Sequence, residues 1–158
     1  MLNLTLFSQR DPKWANDLMA GGGKLKDFGC TVTCLSSIST YYGLPQTPKT
    51  LNKADIYFTR TINGKKVGTN LVDWVKATKI LQAKSYKRVR SYNNAEVAFN
   101  VYILRRPVLV EVDAKPIGNP GGRHWVVFVG DRKAFDPWTG TITPTSKWNA
   151  KGYCLINK

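Results

Sequence analysis

KDFGCTVTCLSS, residues 26–37, holds two of the chain's three cysteines, four residues apart. Three readings compete for that pair: a metal clip, half of a disulfide framework, or one reactive thiol beside a buried one. Each needs different partners elsewhere, so the rest of the chain has to decide. Downstream of Cys30, apolar Val32, Leu35, Ile38 and Tyr42 recur at helical spacing, and Gly43 suits the stop just past a helix end. Thr31, Val32 and Thr33 are β-branched and poor helix formers, which keeps a buried strand in competition for this stretch. As a helix, it starts at Cys30 and carries Cys34 one turn later.

At 158 residues the chain reads as a single domain, 1–158, long enough to bury a sizeable core and free of repeats or low-complexity tracts. Its apolar runs are only about strand length, so no membrane span is expected. The opening MLNLTLFSQRDPKW lacks the basic start, long apolar stretch and small-residue cleavage site of a signal peptide, so the expected location as synthesised is cytoplasmic. Three cysteines, an odd number, argue against a disulfide scaffold. The formal net charge of +14 implies attraction to a polyanion: nucleic acid, an anionic membrane face or an acidic wall polymer. Solubility alone is the blander use of such a charge. KSYKRVR (84–90), with Tyr86 and Tyr92, interleaves cations and aromatic rings as a single-strand nucleic-acid groove would, and also reads as a solvated edge strand or loop.

The first two-thirds read as helical and the last third as strands, which indicates α+β. Thr47 caps a second helix with Pro48 at its first position, running toward Tyr57. A third begins near Thr69 and carries Leu71, Trp74, Val75, Thr78 and Leu81. Asn93 and Glu96 open a fourth that stops before Pro107. Beyond it the period becomes two: VLVEV (108–112), HWVVFVG (124–130), KAFD (133–136) and GYCLIN (152–157) read as a mostly antiparallel sheet, with KPIGNPGGR (115–123) a loop leading to His124.

His124 is the chain's one histidine. A zinc reading recruits Cys30, Cys34, His124 and Cys154, but only the first two come as a close pair, whereas structural zinc sites present ligands in such pairs. A nucleophile reading accounts for more residues. A catalytic thiol has to ionise near neutral pH, and a helix N-terminus promotes that at Cys30. The thiolate needs an imidazole, and the imidazole needs a group to orient it. Asp136 can do this if a three-residue turn, Asp131-Arg132-Lys133, places Asp136 opposite Phe128 and on the sheet face of His124; a two-residue turn would put the two on opposite faces. The Cys30 N–H and a side-chain amide, with Gln9 the candidate, would hold the oxyanion. Cys34 and Cys154 read as structural.

FSQRDPKWAN, FGCTVTCLSSISTYYG, RHWVVFVG and FDPWTG, in that order, resemble the C39-like cysteine peptidases of the papain-like superfamily. Residues 47–106 match only as generic helices. The resemblance implies a papain-like fold, the nucleophile helix packed on the C-terminal sheet, with Cys30 as nucleophile, His124 as base and acid, Asp136 as orienter and Gln9 in the oxyanion hole. It calls for no cofactor and no metal, for a monomer, and for peptide or peptidoglycan as substrate. A phage-type lysin is compatible with this, the charge drawn to an anionic wall and a holin or virion delivering the protein, and an intracellular peptidase acting on a protein or peptide is the second enzyme reading. The competing expectation is an inactive papain-like module whose basic face binds nucleic acid or another polyanion.

Overall fold

A computed structural model describes residues 1–158 as an α+β fold of two sheets and several short helices. Six strands form the main sheet, in the order β3 (Ser85–Val89), β8 (Ala150–Asn157), β4 (Val108–Asp113), β5 (Arg123–Gly130), β6 (Lys133–Asp136) and β7 (Thr141–Pro144), every neighbouring pair antiparallel. Its centre is built from β-branched and other apolar residues buried on both faces, such as Val108, Leu109, Val110, Val126 and Val127. A short helix α1 (Leu25–Phe28) leads through Gly29 into α2 (Cys30–Tyr41), and α2 packs against β5. A Cβ at Gly29 would lie 2.4 Å from the Leu25 carbonyl oxygen, so only glycine allows the chain to pass from one helix to the next here.

α2 is buried on all sides along residues 32–39, and much of what it buries is small and polar. Beside Val32, Cys34, Leu35 and Ile38 it buries Thr33, Ser36, Ser37 and Ser39. Ser36 donates back to the Val32 carbonyl at 2.9 Å and Ser39 to that of Leu44 at 2.7 Å, while the Thr33 and Ser37 hydroxyls have no partner. The β-branched opening therefore does not prevent the helix.

Three expected helices are shorter than their sequence patterns. α3 (Pro48–Lys53) has the Thr47 cap and stops well before Tyr57. Residues 57–72, which span the expected end of the second helix at Tyr57 and the expected start of the third near Thr69, form a hairpin of β1 (Tyr57–Ile62) and β2 (Lys65–Val72). Asn63 and Gly64 turn it with φ of 49° and 75°, the two-residue geometry that an Asn-Gly pair adopts most readily. α4 (Trp74–Ile80) starts at Trp74 rather than Thr69 because Asp73 caps it, accepting from the Val75 and Lys76 N–H groups. α5 (Asn94–Ala98), capped by Asn93, passes into a π-helical turn at Phe99–Ile103. KSYKRVR supplies β3, at the edge of the sheet, and β7 is a strand that the sequence pattern did not announce.

The turn that sets the face of Asp136 also differs from expectation. Gly130 pairs with Lys133 across a two-residue turn, Asp131-Arg132, both at φ 54°. Such a turn alone would put His124 and Asp136 on opposite faces. Yet Phe128 pairs with Ala134 and Val127 with Phe135, so Val129 is an extra, bulged residue that shifts the register by one more position. Extending that register, Asp136 falls beside Val126 rather than Phe128, on the same face as His124 and one residue pair nearer to it.

Gly130 makes the bulge possible, at φ 95°. An added Cβ would meet nothing closer than 3.5 Å, so Gly130→Ala adds backbone strain without a clash. It should destabilise the fold by about 1–3 kcal/mol. A urea midpoint unchanged from wild type would show that the bulge does not depend on this glycine.

Candidate active site

Cys30 is the first residue of α2, where the leading N–H groups have no intrahelical acceptor and the helix dipole presents its positive end. The residue is partly exposed, and its sulfur lies 4.0 Å from Thr31 Oγ1. His124 is buried near the start of β5, and its Nε2 meets Asp136 Oδ1 at 2.9 Å. With Nε2 committed to the carboxylate, Nδ1 is the ring nitrogen left for the sulfur. Asp136 is fully buried; its Oδ1 also accepts the Trp138 N–H at 3.0 Å, and Lys147 Nζ stands 3.4 Å from its Oδ2. The structure thus brings Cys30, His124 and Asp136 together.

The electrostatics of the three follow from that contact. Burial pushes the Cys30 thiol up, but hydrogen bonding and charge at His124, the Trp125 N–H and Thr31 outweigh it and leave the thiol below its ordinary value. Burial pulls His124 down, yet the Asp136 and Cys30 contacts lift it to about 9. Asp136, disfavoured by burial, is held below the usual carboxylate range by His124, the Trp138 N–H and Lys147. A rise from 6.5 to about 9 corresponds to about 3 kcal/mol in favour of the imidazolium. Each partner therefore favours the charged form of the other, thiolate beside imidazolium. Cys34, one turn along α2, has the opposite fate: buried, with its Sγ donating to the Trp125 carbonyl at 3.5 Å, it is raised by burial and by the negative charges of Cys30 and Asp136.

Gln9 is buried and near, but its amide is engaged. Its backbone N–H donates to the Pro137 carbonyl at 2.8 Å, next to Asp136. Its Nε2 donates to the Lys26 carbonyl at 2.8 Å and, at a longer 3.4 Å, to that of Leu25, while Oε1 has no partner. Only the second of these amide hydrogens is weakly held. Cys154 lies in β8, paired with Leu109 of β4 and Arg88 of β3, and no group of three or more His, Cys, Asp or Glu side chains is arranged to hold a metal ion. All three cysteines are free.

Lys147, Trp148 and Trp125 were not singled out as site residues from the sequence. Lys147 sits over the Trp148 ring at 4.5 Å, and Trp148 packs against the His124 imidazole with ring centres 5.6 Å apart. Neither a lysine nor a tryptophan in a turn carries a local signal that could have marked it. Cys30 opens into a cleft of about 610 Å³ walled by Phe28, Leu71, Trp74, Trp125, Arg88 and Arg123. Arg88 lies on the Trp125 ring at 4.7 Å and pairs with Glu111. A second cavity, of about 550 Å³ between residues 17–20 and 49–59, shares no lining residue with the cleft.

Comparison with protein-family models, curated proteins and solved structures gives no match to this chain.

Iodoacetamide should alkylate Cys30 far faster than Cys34 or Cys154, and the ratio of the rates should grow as the pH falls below the ordinary thiol range. Because the Cys30 thiol is lowered, the acid edge of its rate should lie below the usual thiol value. Asp136→Asn removes the charge that holds the imidazolium, so the His124 value falls, that of Cys30 rises and the edge moves to higher pH. Equal alkylation of the three cysteines, or an edge near 8.5, would refute the ion pair.

Proposed function

We infer that this chain is a cysteine peptidase of the C39-like, papain-like type. The observation that carries the reading is a single one: a thiol at a helix N-terminus coupled to an imidazole that is itself bonded to a buried carboxylate at 2.9 Å, in an open cleft. The resemblance of the four sequence motifs supports it, as does a nucleophile helix packed on the strand that delivers the histidine. No helix is long and apolar enough to cross a membrane.

In the proposed reaction the Cys30 thiolate attacks the carbonyl carbon of an amide, forming a C–S bond and an oxyanion. The N–H groups at the start of α2 face that oxygen, and the weakly held Gln9 hydrogen can turn to it. The His124 imidazolium gives its Nδ1 proton to the leaving amine as the C–N bond breaks, leaving a thioester. Neutral His124 then takes a proton from water, whose hydroxide oxygen attacks the thioester. The acid leaves, and thiolate and imidazolium are restored. Asp136 stays ionised throughout, fixing the tautomer and steadying the imidazolium. Lys147 positions that carboxylate from its other oxygen.

The charge of +14 suits an acidic partner. Peptidoglycan stem peptides, the lysin reading, and unfolded polypeptides would both be cleaved by these steps. Incubated with purified peptidoglycan and with a denatured protein, the wild type should release new amines from at least one. Cys30→Ala should reduce that release by on the order of 10⁴-fold or more while leaving the circular dichroism spectrum intact. Undiminished release by Cys30→Ala would refute the assignment. An inactive polyanion binder would instead ignore the substitution and lose nucleic-acid affinity steeply with salt.

A further inference from the structure

The β1–β2 hairpin has two faces of opposite character. Thr59 pairs with Gly68 and Tyr57 with Val72, so these side chains and Asn70 share one face. Away from the tip that face is turned to the body of the protein: Tyr57 is buried, Asn70 Oδ1 accepts from the Gly21 and Gly23 N–H groups at 3.1 and 3.3 Å, and a Cβ at Gly68 would touch the Ala20 carbonyl oxygen at 2.7 Å, while Thr59, Thr61 and Lys66 on the same face are exposed. Arg60 pairs with Val67 and Ile62 with Lys65, which puts Phe58, Arg60, Ile62, Lys65, Val67 and Leu71 on the other face. All four of its large apolar side chains point to solvent, at 53% exposure for Phe58, 41% for Ile62, 39% for Val67 and 69% for Leu71.

Two further properties say what would cover this face. Residues 57–72 carry three cations, Arg60, Lys65 and Lys66, and no carboxylate. The end of β2, Asn70, Leu71 and Val72, borders the cleft into which Cys30 opens, and Leu71 joins the exposed face to it. A bilayer fits less well, because the hairpin ends in Asn63, Gly64, Lys65 and Lys66, a polar and charged tip unsuited to insertion. An extended chain fits better: strand side chains on one face recur at about 7 Å, the same repeat as those of the hairpin. Resting on the peptidase reading, we propose that the outward face of the β1–β2 hairpin docks a substrate polypeptide segment rich in apolar and acidic side chains and leads it into the cleft at Cys30. Its leucine-like side chains cover Phe58, Ile62, Val67 and Leu71, and its carboxylates meet Arg60 and Lys65.

The full chain bearing Cys30→Ala, which binds without turnover, is titrated into a fluorescein-labelled Leu-Ser-Glu-Ser repeat peptide, whose extended form presents leucine and glutamate on one face, and into its Leu-Ser-Lys-Ser counterpart, with anisotropy as readout. The glutamate peptide should bind at least tenfold more tightly than the lysine peptide. Phe58→Ser with Val67→Ser, and separately Arg60→Glu with Lys65→Glu, should each weaken it at least tenfold. Unchanged urea midpoints exclude unfolding as the cause. No binding of the glutamate peptide, equal binding of both peptides, or full binding by the hairpin variants would overturn the proposal. So would binding to phosphatidylglycerol vesicles that the same variants lose while no peptide binds, which would assign the face to lipid. Failure of the peptidase reading shows elsewhere, as Cys30 alkylating no faster than Cys34 in the otherwise unaltered chain, and leaves the anisotropy result standing.

Discussion

A carboxylate with no water-facing surface constrains everything around it. Asp136 is fully buried, and an uncompensated buried charge costs several kcal/mol even after the protein relaxes. Three donors offset that cost: the His124 ring, the Trp138 N–H and the Lys147 ammonium. They come from β5, from the residues just past β6 and from the turn before Trp148, so the C-terminal half of the chain has to fold as a unit for the charge to be tolerated. The Gln9 N–H, bonded to the Pro137 carbonyl, brings the N-terminal segment into the same arrangement.

From Asp136 the polarity passes outward in alternating signs. The carboxylate favours an imidazolium, the imidazolium favours a thiolate, and that thiolate together with Asp136 keeps the neighbouring Cys34 protonated. Two cysteines four residues apart on one helix thus acquire opposite chemistry. What separates them is position: Cys30 has the helix N-terminus and a face to the cleft, and Cys34 is sealed against the Trp125 carbonyl.

The parts of this arrangement that were legible in the sequence are those set by local chemistry. Gly29 before Cys30, the caps at Thr47 and Asn93, and the alternation of β4, β5 and β6 each carry their own signal. The hairpin at 57–72 did not show the usual alternation, because its apolar residues face outward and its inward face is built from Tyr57, Gly68 and Asn70. Leu71, Trp74 and Val75 happened to fall at helical spacing across a strand end and a helix start, and the Asn63-Gly64 turn was the better guide. The Asp136 register was foreseen on the right face through the wrong turn, since a bulge at Val129 leaves no mark in the sequence beyond Gly130. Lys147 and Trp148 were illegible because nothing local distinguishes a turn that folds back onto a buried acid.

The buried hydroxyls of α2 bear on all of this. Thr33, Ser36, Ser37 and Ser39 are slender, and two of their hydroxyls go unanswered, an arrangement worse for cohesion than leucine or isoleucine would be. Slender side chains let a helix settle low on a sheet. Cys34 meets β5 at the Trp125 carbonyl, and Ser37, three residues on, shares that side of the helix with Cys30. Bulkier replacements at those two positions would raise the helix like a shim under a hinge, shifting the sulfur while every reacting group remained in place.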